Sequence, residues 1–517
     1  MKSQGRSDRR VAIASIAVLA IATALRMPSC YESFWLDELH SAWTVWDGLS
    51  EVASRADRGH QSPFYYFGLW FWKCVVGGSE LGLRMSSVLA TSMACAVLTF
   101  GVADWTRNVA AGVAAGMILA IESNAIFFGT ELRPYAGVIL FAAIAQIGFL
   151  RLADSKSRVA NRGQWSLLIV CILVAALLQP TSLGILCLFP VALLTRWAIV
   201  HPRELVRFTL FDAWLILAVA AILLVLWKIT LGESWQERSQ WALFGQAVEL
   251  RQLFTIWTWR WLLILPLALA IALALGAIGF RGRLPHRELF LTLGVLSIIA
   301  VFGNFLYWFV SWMGWAPIWH RRYFVSVLPI FATIVGLSVE AVASCGRDWG
   351  WGERTRRVVG ALTALLFVLG LGWHQGTWQA LPGYPVALAI RGEDWRSAVA
   401  WLNRNAGDAD QVYLDPGLIE SRVLFWSNRG EPPKHLTEAG SEYLRFPVRG
   451  PYRLEQVVTL CDLAIQSQVA PIVPPQKGAA YMLARRPAQH VPSPPKSVNQ
   501  RVIPFGGVSV VLRSSPR

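Results

Sequence analysis

The chain has 517 residues, 55% of them hydrophobic and only 15% charged, with a mean hydropathy of +0.45; soluble domains carry roughly 25% charged residues, so an ordinary soluble protein is excluded. The formal net charge is +15, but the Lys and Arg residues lie scattered between apolar runs, which argues against a basic nucleic-acid-binding module. The seven cysteines show no CxxC and no histidine pairing, so neither a zinc site nor a disulfide framework is indicated.

The N-terminal MKSQGRSDRR, followed by the apolar run Val11 to Leu25, has the basic flank and apolar core shared by signal peptides and first membrane helices. It is expected to remain as an uncleaved anchor, because the segment after it is apolar and aromatic, as suits a membrane surface. A helix needs about 20 apolar residues to cross a bilayer. By that measure about eleven spans are expected, near 11–29, 84–103, 108–122, 134–150, 165–179, 182–198, 209–228, 261–280, 289–311, 323–342 and 358–374. If the N-terminus is cytoplasmic, the short inside loops hold Arg107, then Arg151, Lys156, Arg158 and Arg162, and further on Arg281, Arg283 and Arg287. That bias obeys the positive-inside rule and places the C-terminus on the other face, with the plasma (inner) membrane as the expected location.

Three outer segments follow from this topology: Pro28 to Leu83, Glu233 to Arg260, and the chain beyond about Gln375. Long apolar runs stop after His374. Trp395, Val399 and Leu402 stand at helical spacing within 394–405, while 411–414 and 508–512 read as strands. The fold class is therefore a polytopic α-helical membrane protein with a small C-terminal α/β domain outside the membrane. The expected division is 1–374, including the outer loop 28–83, and 385–517.

The first outer loop carries FWLDELH, with Asp37 and Glu38 adjacent. Acids at the lip of a membrane helix must face water, a cavity or a partner, so they are either solvated charges capping a short helix or part of a site. His60, in HQSPFYY, is either a cap or a polar site residue. Arg84, Arg133 beside Pro134 and Tyr135, and Arg321 with Arg322 all stand at outer span ends, where charge bias does not call for them. They either snorkel to anionic headgroups or converge to hold a phosphate. Most of the 26 tryptophans suit an interfacial belt.

WLDE in the first outer loop, HQSPFYY before the second span, GLRMSS entering it, LRPYA at the fourth span and RRYF at the tenth together resemble the C-type-fold (GT-C) glycosyltransferases. The likeness is to bacterial relatives of the dolichyl-phosphate-mannose protein mannosyltransferases and of the lipid A aminoarabinose transferase. It implies a polyprenyl-phosphate-linked sugar donor, transfer at the outer membrane face to a lipid, glycan or protein hydroxyl, and commonly inversion at the anomeric carbon. It implies Asp37 as general base or positioning group, with Glu38 sharing or orienting that work. By the same resemblance His60, Arg84, Arg133, Tyr135, Arg321 and Arg322 bind substrate. HQSPFYY lacks the Pro-Pro common in relatives, and Lys73 lies too deep in the aromatic run to match a phosphate-binding lysine, so the donor sugar does not carry over. No cofactor is expected; a divalent cation serves some branches of this fold and not others.

A secondary transporter would place polar groups near the membrane midplane, often in two related halves, whereas here the charges gather at one lip. A non-catalytic envelope scaffold needs only one span. No nucleotide-binding glycine loop is present, which fits a donor activated by a lipid phosphate.

Overall fold

Apolar runs of span length fold as helices in the computed structural model, which describes residues 2–59, 61–154, 162–200, 245–281, 286–415, 446–448, 450, 452–455, 479–491 and 499–514. The first eight helices are α1 (Lys2–Arg26), α2 (Leu36–Thr44), α3 (Leu49–Arg58), α4 (Pro63–Val76), α5 (Glu80–Thr106), α6 (Val109–Ile121), α7 (Ser123–Thr130) and α8 (Tyr135–Ala153). Seven helical stretches among the described residues are long and apolar enough to cross a membrane: Asp8–Tyr31, Glu80–Thr106, Tyr135–Ala153, Arg260–Gly279, Arg287–Trp312, Val325–Asp348 and Glu353–His374. The pair α6 and α7 makes an eighth if its 62° bend is taken as one broken span, and Arg162–Leu178 and Pro180–Thr195 are shorter apolar helices. Each expected span therefore meets a helix or a bent pair, except 209–228, which lies outside the described residues. The protein is a multi-pass membrane protein.

By their internal contacts the residues divide into two compact units, Met1–Ser29 with Ser87–Ala389, and Cys30–Ser86 with Ile390–Arg517. The loop after the first span thus groups with the C-terminal region, whereas the sequence reading assigned it to the membrane half.

In the first unit, the helix within Val325–Asp348 is buried along its whole apolar window. It packs against α6 through small residues, since a Cβ on Gly336 would lie 2.7 Å from the Ala111 carbonyl oxygen. Gly112 and Gly116 form a GxxxG pair on α6, the spacing that lets membrane helices approach closely. A Cβ on Gly112 would stand 2.2 Å from the Thr99 carbonyl oxygen of α5, and backbone cannot swing aside as a side chain can. Gly112→Val is expected to cost about 1–3 kcal/mol through overpacking, read as a lower unfolding temperature of the purified protein.

The bend between α6 and α7 has a defined cause. Glu122 sits between the helices in an extended conformation, and its carboxylate accepts the Ala125 N–H at 2.7 Å, capping α7. Arg26, fully buried at the end of α1, spans the break: it donates to Ala120 O, among the last carbonyls of α6, at 3.1 Å and to Ala125 O in α7 at 3.2 Å. A break within hydrocarbon persists only when such groups are satisfied.

In the second unit a four-stranded sheet has the order β1-β2-β4-β3, with β1 (Gln411–Asp415) parallel to β2 (Ala480–Ala484). β3 (Asn499–Phe505) and β4 (Val508–Ser514) form a hairpin. The expected amphipathic helix is present as Trp395–Asn405, with Trp395, Val399 and Leu402 buried. The expected strands at 411–414 and 508–512 are β1 and most of β4.

Candidate active site

FWLDELH folds as the start of α2. The helix begins at Leu36, so Asp37 and Glu38 occupy its first turn, where the exposed backbone N–H groups favour negative charge. The two adjacent acids have different surroundings. Asp37 is partly exposed, whereas Glu38 is completely buried.

Glu38 faces Arg84, the arginine of GLRMSS, which is also completely buried. Arg84 Nε donates to Glu38 Oε1 at 2.8 Å, and its Nη2 pairs with Oε2. The rest of the guanidinium fork binds the Cys30 and Ser33 carbonyl oxygens, each at 3.1 Å, and that of Glu32. Arg84 therefore ties residues 30–33, the turn that leads into α2, to the charge of Glu38. Its cation lies 4.9 Å from the Phe34 ring centroid. Arg391 adds a second positive charge, with Nε 3.9 Å from Glu38 Oε2 and its side chain buried.

Other acids of this unit are held in the same manner. Glu80 pairs with Arg396 at 2.6 Å and accepts the Phe34 N–H at 3.0 Å and the Tyr452 hydroxyl. Burial raises the Tyr452 phenol above its ordinary range, and the Glu80 charge adds to that. Glu32 accepts the Arg391 N–H at 3.1 Å; burial raises its carboxyl above the usual carboxylate range, against the pull of Arg391 and Arg84. Lys73 donates to the Val45 carbonyl oxygen at 2.9 Å and also to that of Trp46, just past the end of α2. No group of three or more His, Cys, Asp or Glu suited to a metal ion occurs among the described residues.

The remaining sequence candidates lie in the first unit, apart from His60, which falls outside the described residues. Arg133 is buried at the corner between α7 and α8, and Tyr135 opens α8 with its ring 5.2 Å from Phe128 in an edge-on arrangement. Arg321 and Arg322 form a single 3-10 turn, for which the His320 Nδ1 accepts the Arg322 N–H at 3.3 Å. Arg321 is exposed, and its Nη1 donates to Asn124 Oδ1 at 3.1 Å. Asn124 in turn donates to Glu122 Oε1 at 2.8 Å, which also receives Gln375 Nε2 at 3.3 Å. The broken helix thus orients an arginine through a buried acid and an amide. Sequence reasoning missed Arg26, Glu122, Asn124 and Gln375, although a lone acid in the apolar run AIESNAI marks a functional candidate by itself.

The sequence matches no protein-family model and no curated protein sequence. Solved structures do share the fold. ArnT from Cupriavidus metallidurans in the apo state is similar at a TM-score of 0.55 and 15% identity, covering 100% of both chains. The structure of ArnT from the same organism bound to undecaprenyl phosphate is similar at 0.52 and 14%, covering 98% of this chain and 99% of that one. The chain has the C-type glycosyltransferase fold, as its motifs led one to expect.

Proposed function

We propose that the protein is a membrane glycosyltransferase that moves a sugar from a polyprenyl-phosphate carrier to a hydroxyl of an envelope lipid, glycan or protein. Transfer takes place at the outer face of the plasma membrane, with the N-terminus cytoplasmic and the C-terminal domain outside. The observation that carries this reading is the pairing of a buried, arginine-bound Glu38 with a partly exposed Asp37 in one helical turn, on a fold shared along its length with a structure that binds undecaprenyl phosphate.

A sugar hydroxyl is a weak nucleophile, and a carboxylate within hydrogen-bond reach accepts its proton as the new bond forms. The acceptor oxygen attacks the anomeric carbon, the carbon–oxygen bond to phosphate breaks, and the polyprenyl phosphate leaves with the electron pair. The acceptor proton ends on Asp37. The leaving group is already an anion, so it needs positive charge rather than a proton. Exposed Arg321, held by Asn124, is proposed for that task, as are Arg133 and Arg322. Glu38 and Arg84 serve as the buried support of Asp37.

Charge-assisted hydrogen bonds contribute about 1.5–3 kcal/mol each. Arg321→Ala is accordingly expected to weaken binding of undecaprenyl phosphate by about 10-fold or more, measured on the purified protein, with little change in unfolding temperature. The function itself is tested by labelling the cell's own polyprenyl-phosphate sugar pool and comparing envelope fractions with and without the protein. A labelled product that requires the protein supports transfer; an unchanged set of products, with carrier accumulating on the inner leaflet, supports a transporter instead.

A further inference from the structure

The helix that carries Asp37 lacks the residue that normally starts a helix. The position before its first residue is Trp35, whose indole has no hydrogen-bond acceptor, where Ser, Thr, Asp or Asn would cap the first free N–H groups. Glu38 reaches back to the Trp35 N–H at 3.4 Å, which leaves the first N–H of the helix itself to be met. It is met from 357 positions away: Glu393 Oε2 accepts the Leu36 N–H at 3.1 Å.

Glu393 is itself immobilised. Its Oε2 also accepts the Trp395 indole N–H at 2.9 Å, and its Oε1 accepts Arg485 Nε at 2.7 Å, Arg485 lying just after β2. The segment around it is pinned on both sides. Arg391 faces Glu38, and the Arg396 N–H donates to Ser33 Oγ at 3.2 Å. Behind it, Glu393 bridges to Gly506 in the β3–β4 turn, and the Asp394 N–H donates to Phe505 O at 3.3 Å. Gly392 and Gly506 both hold left-handed φ values, +80° and +66°, and a Cβ on Gly506 would stand 2.2 Å from the Gly392 carbonyl oxygen. Only glycine fits the second position.

We infer that Glu393 is a positioning residue: from the C-terminal domain it supplies the missing cap of α2 and so fixes the direction of Asp37. The C-terminal domain is then part of the catalytic centre, and its sheet is the rigid backing of the strap 391–396. The inference rests on the proposed role of Asp37, and the test separates the two. Hydrogen exchange of the α2 amides is measured in the purified full-length chain, alongside transfer of labelled sugar from the cell's own polyprenyl-phosphate pool at matched membrane abundance.

Glu393→Ala is expected to speed exchange at the start of α2 by about 3- to 30-fold, the ratio that corresponds to loss of a cap. Transfer is expected to fall by about 10-fold or more, as small misplacements of a catalytic group produce. Glu393→Gln keeps an acceptor oxygen and is expected to retain most of both properties. Trp35→Asp, introduced into Glu393→Ala, supplies a local cap and is expected to restore slow exchange, which repair of a merely structural defect elsewhere would not do. Unchanged exchange in Glu393→Ala overturns the inference, as does faster exchange with undiminished transfer while Asp37→Asn is inactive. Faster exchange together with a fully active Asp37→Asn overturns the general-base reading and leaves the cap in place.

Discussion

Asp37→Asn is expected to lower sugar transfer by about 10²–10⁴-fold, the range that follows removal of a general base, with membrane abundance and unfolding temperature at wild-type values. Asparagine has nearly the volume of aspartate and still forms hydrogen bonds, so a partly exposed position in the first turn of α2 accepts it without repacking. On the proposed mechanism, what it loses is the capacity to take the proton of the acceptor hydroxyl. The assay is the initial rate of label transfer in membranes matched for protein. A small loss of rate would make Asp37 a headgroup-level charge, the alternative that the sequence left open.

Arg84→Ala has a different signature. The Arg84–Glu38 pair has no solvent exposure on either side chain, and removing Arg84 leaves the Glu38 charge away from water with only the longer contact to Arg391, at 3.9 Å. Breaking a buried pair this way costs about 3–5 kcal/mol, a large fraction of the 5–15 kcal/mol that holds typical domains together. The expected outcome is a sharp drop in unfolding temperature and abundance, together with faster exchange in residues 30–38, because the carbonyls of Cys30, Glu32 and Ser33 lose their donor as well. A double-mutant cycle checks it: Glu38→Gln with Arg84→Met should cost less than the sum of the single changes, since neither charge of the pair is left facing the other's vacancy. Additive losses would show that the pair is not coupled.

The membrane half was legible because hydrocarbon imposes one rule, satisfied backbone over about 20 residues, and the seven long described spans obey it. The bend at Glu122 was not legible, since hydropathy sums over a window and a single acid in AIESNAI barely lowers it. The motif WLDE located the acids, but spacing alone could not say which acid is buried. Positions 37 and 38 differ by one step on a helix, and only the packing of Leu36, Glu38 and Leu39 inward separates them. Arg84 was noticed for its place at a span end; its partner was not, because the two are 46 residues apart. In the C-terminal domain β4 stood out for its β-branched run, whereas β3 opens on three consecutive polar residues, Asn499, Gln500 and Arg501, and contains Pro504, as an edge strand tolerates. Gly506-Gly507 between two apolar segments was the available sign of that hairpin. Glu393, so far along the chain from α2, carried no local sign at all.

The central claim, that the protein transfers a sugar from a lipid phosphate, is tested most directly in proteoliposomes. Purified protein would be supplied with the labelled polyprenyl-phosphate sugar fraction and the envelope acceptor fraction of the same cells. The expected result is label in a new acceptor product, free polyprenyl phosphate in equal amount, and neither with Asp37→Asn. Label that crosses the bilayer while still attached to its carrier, with no product formed, would contradict it.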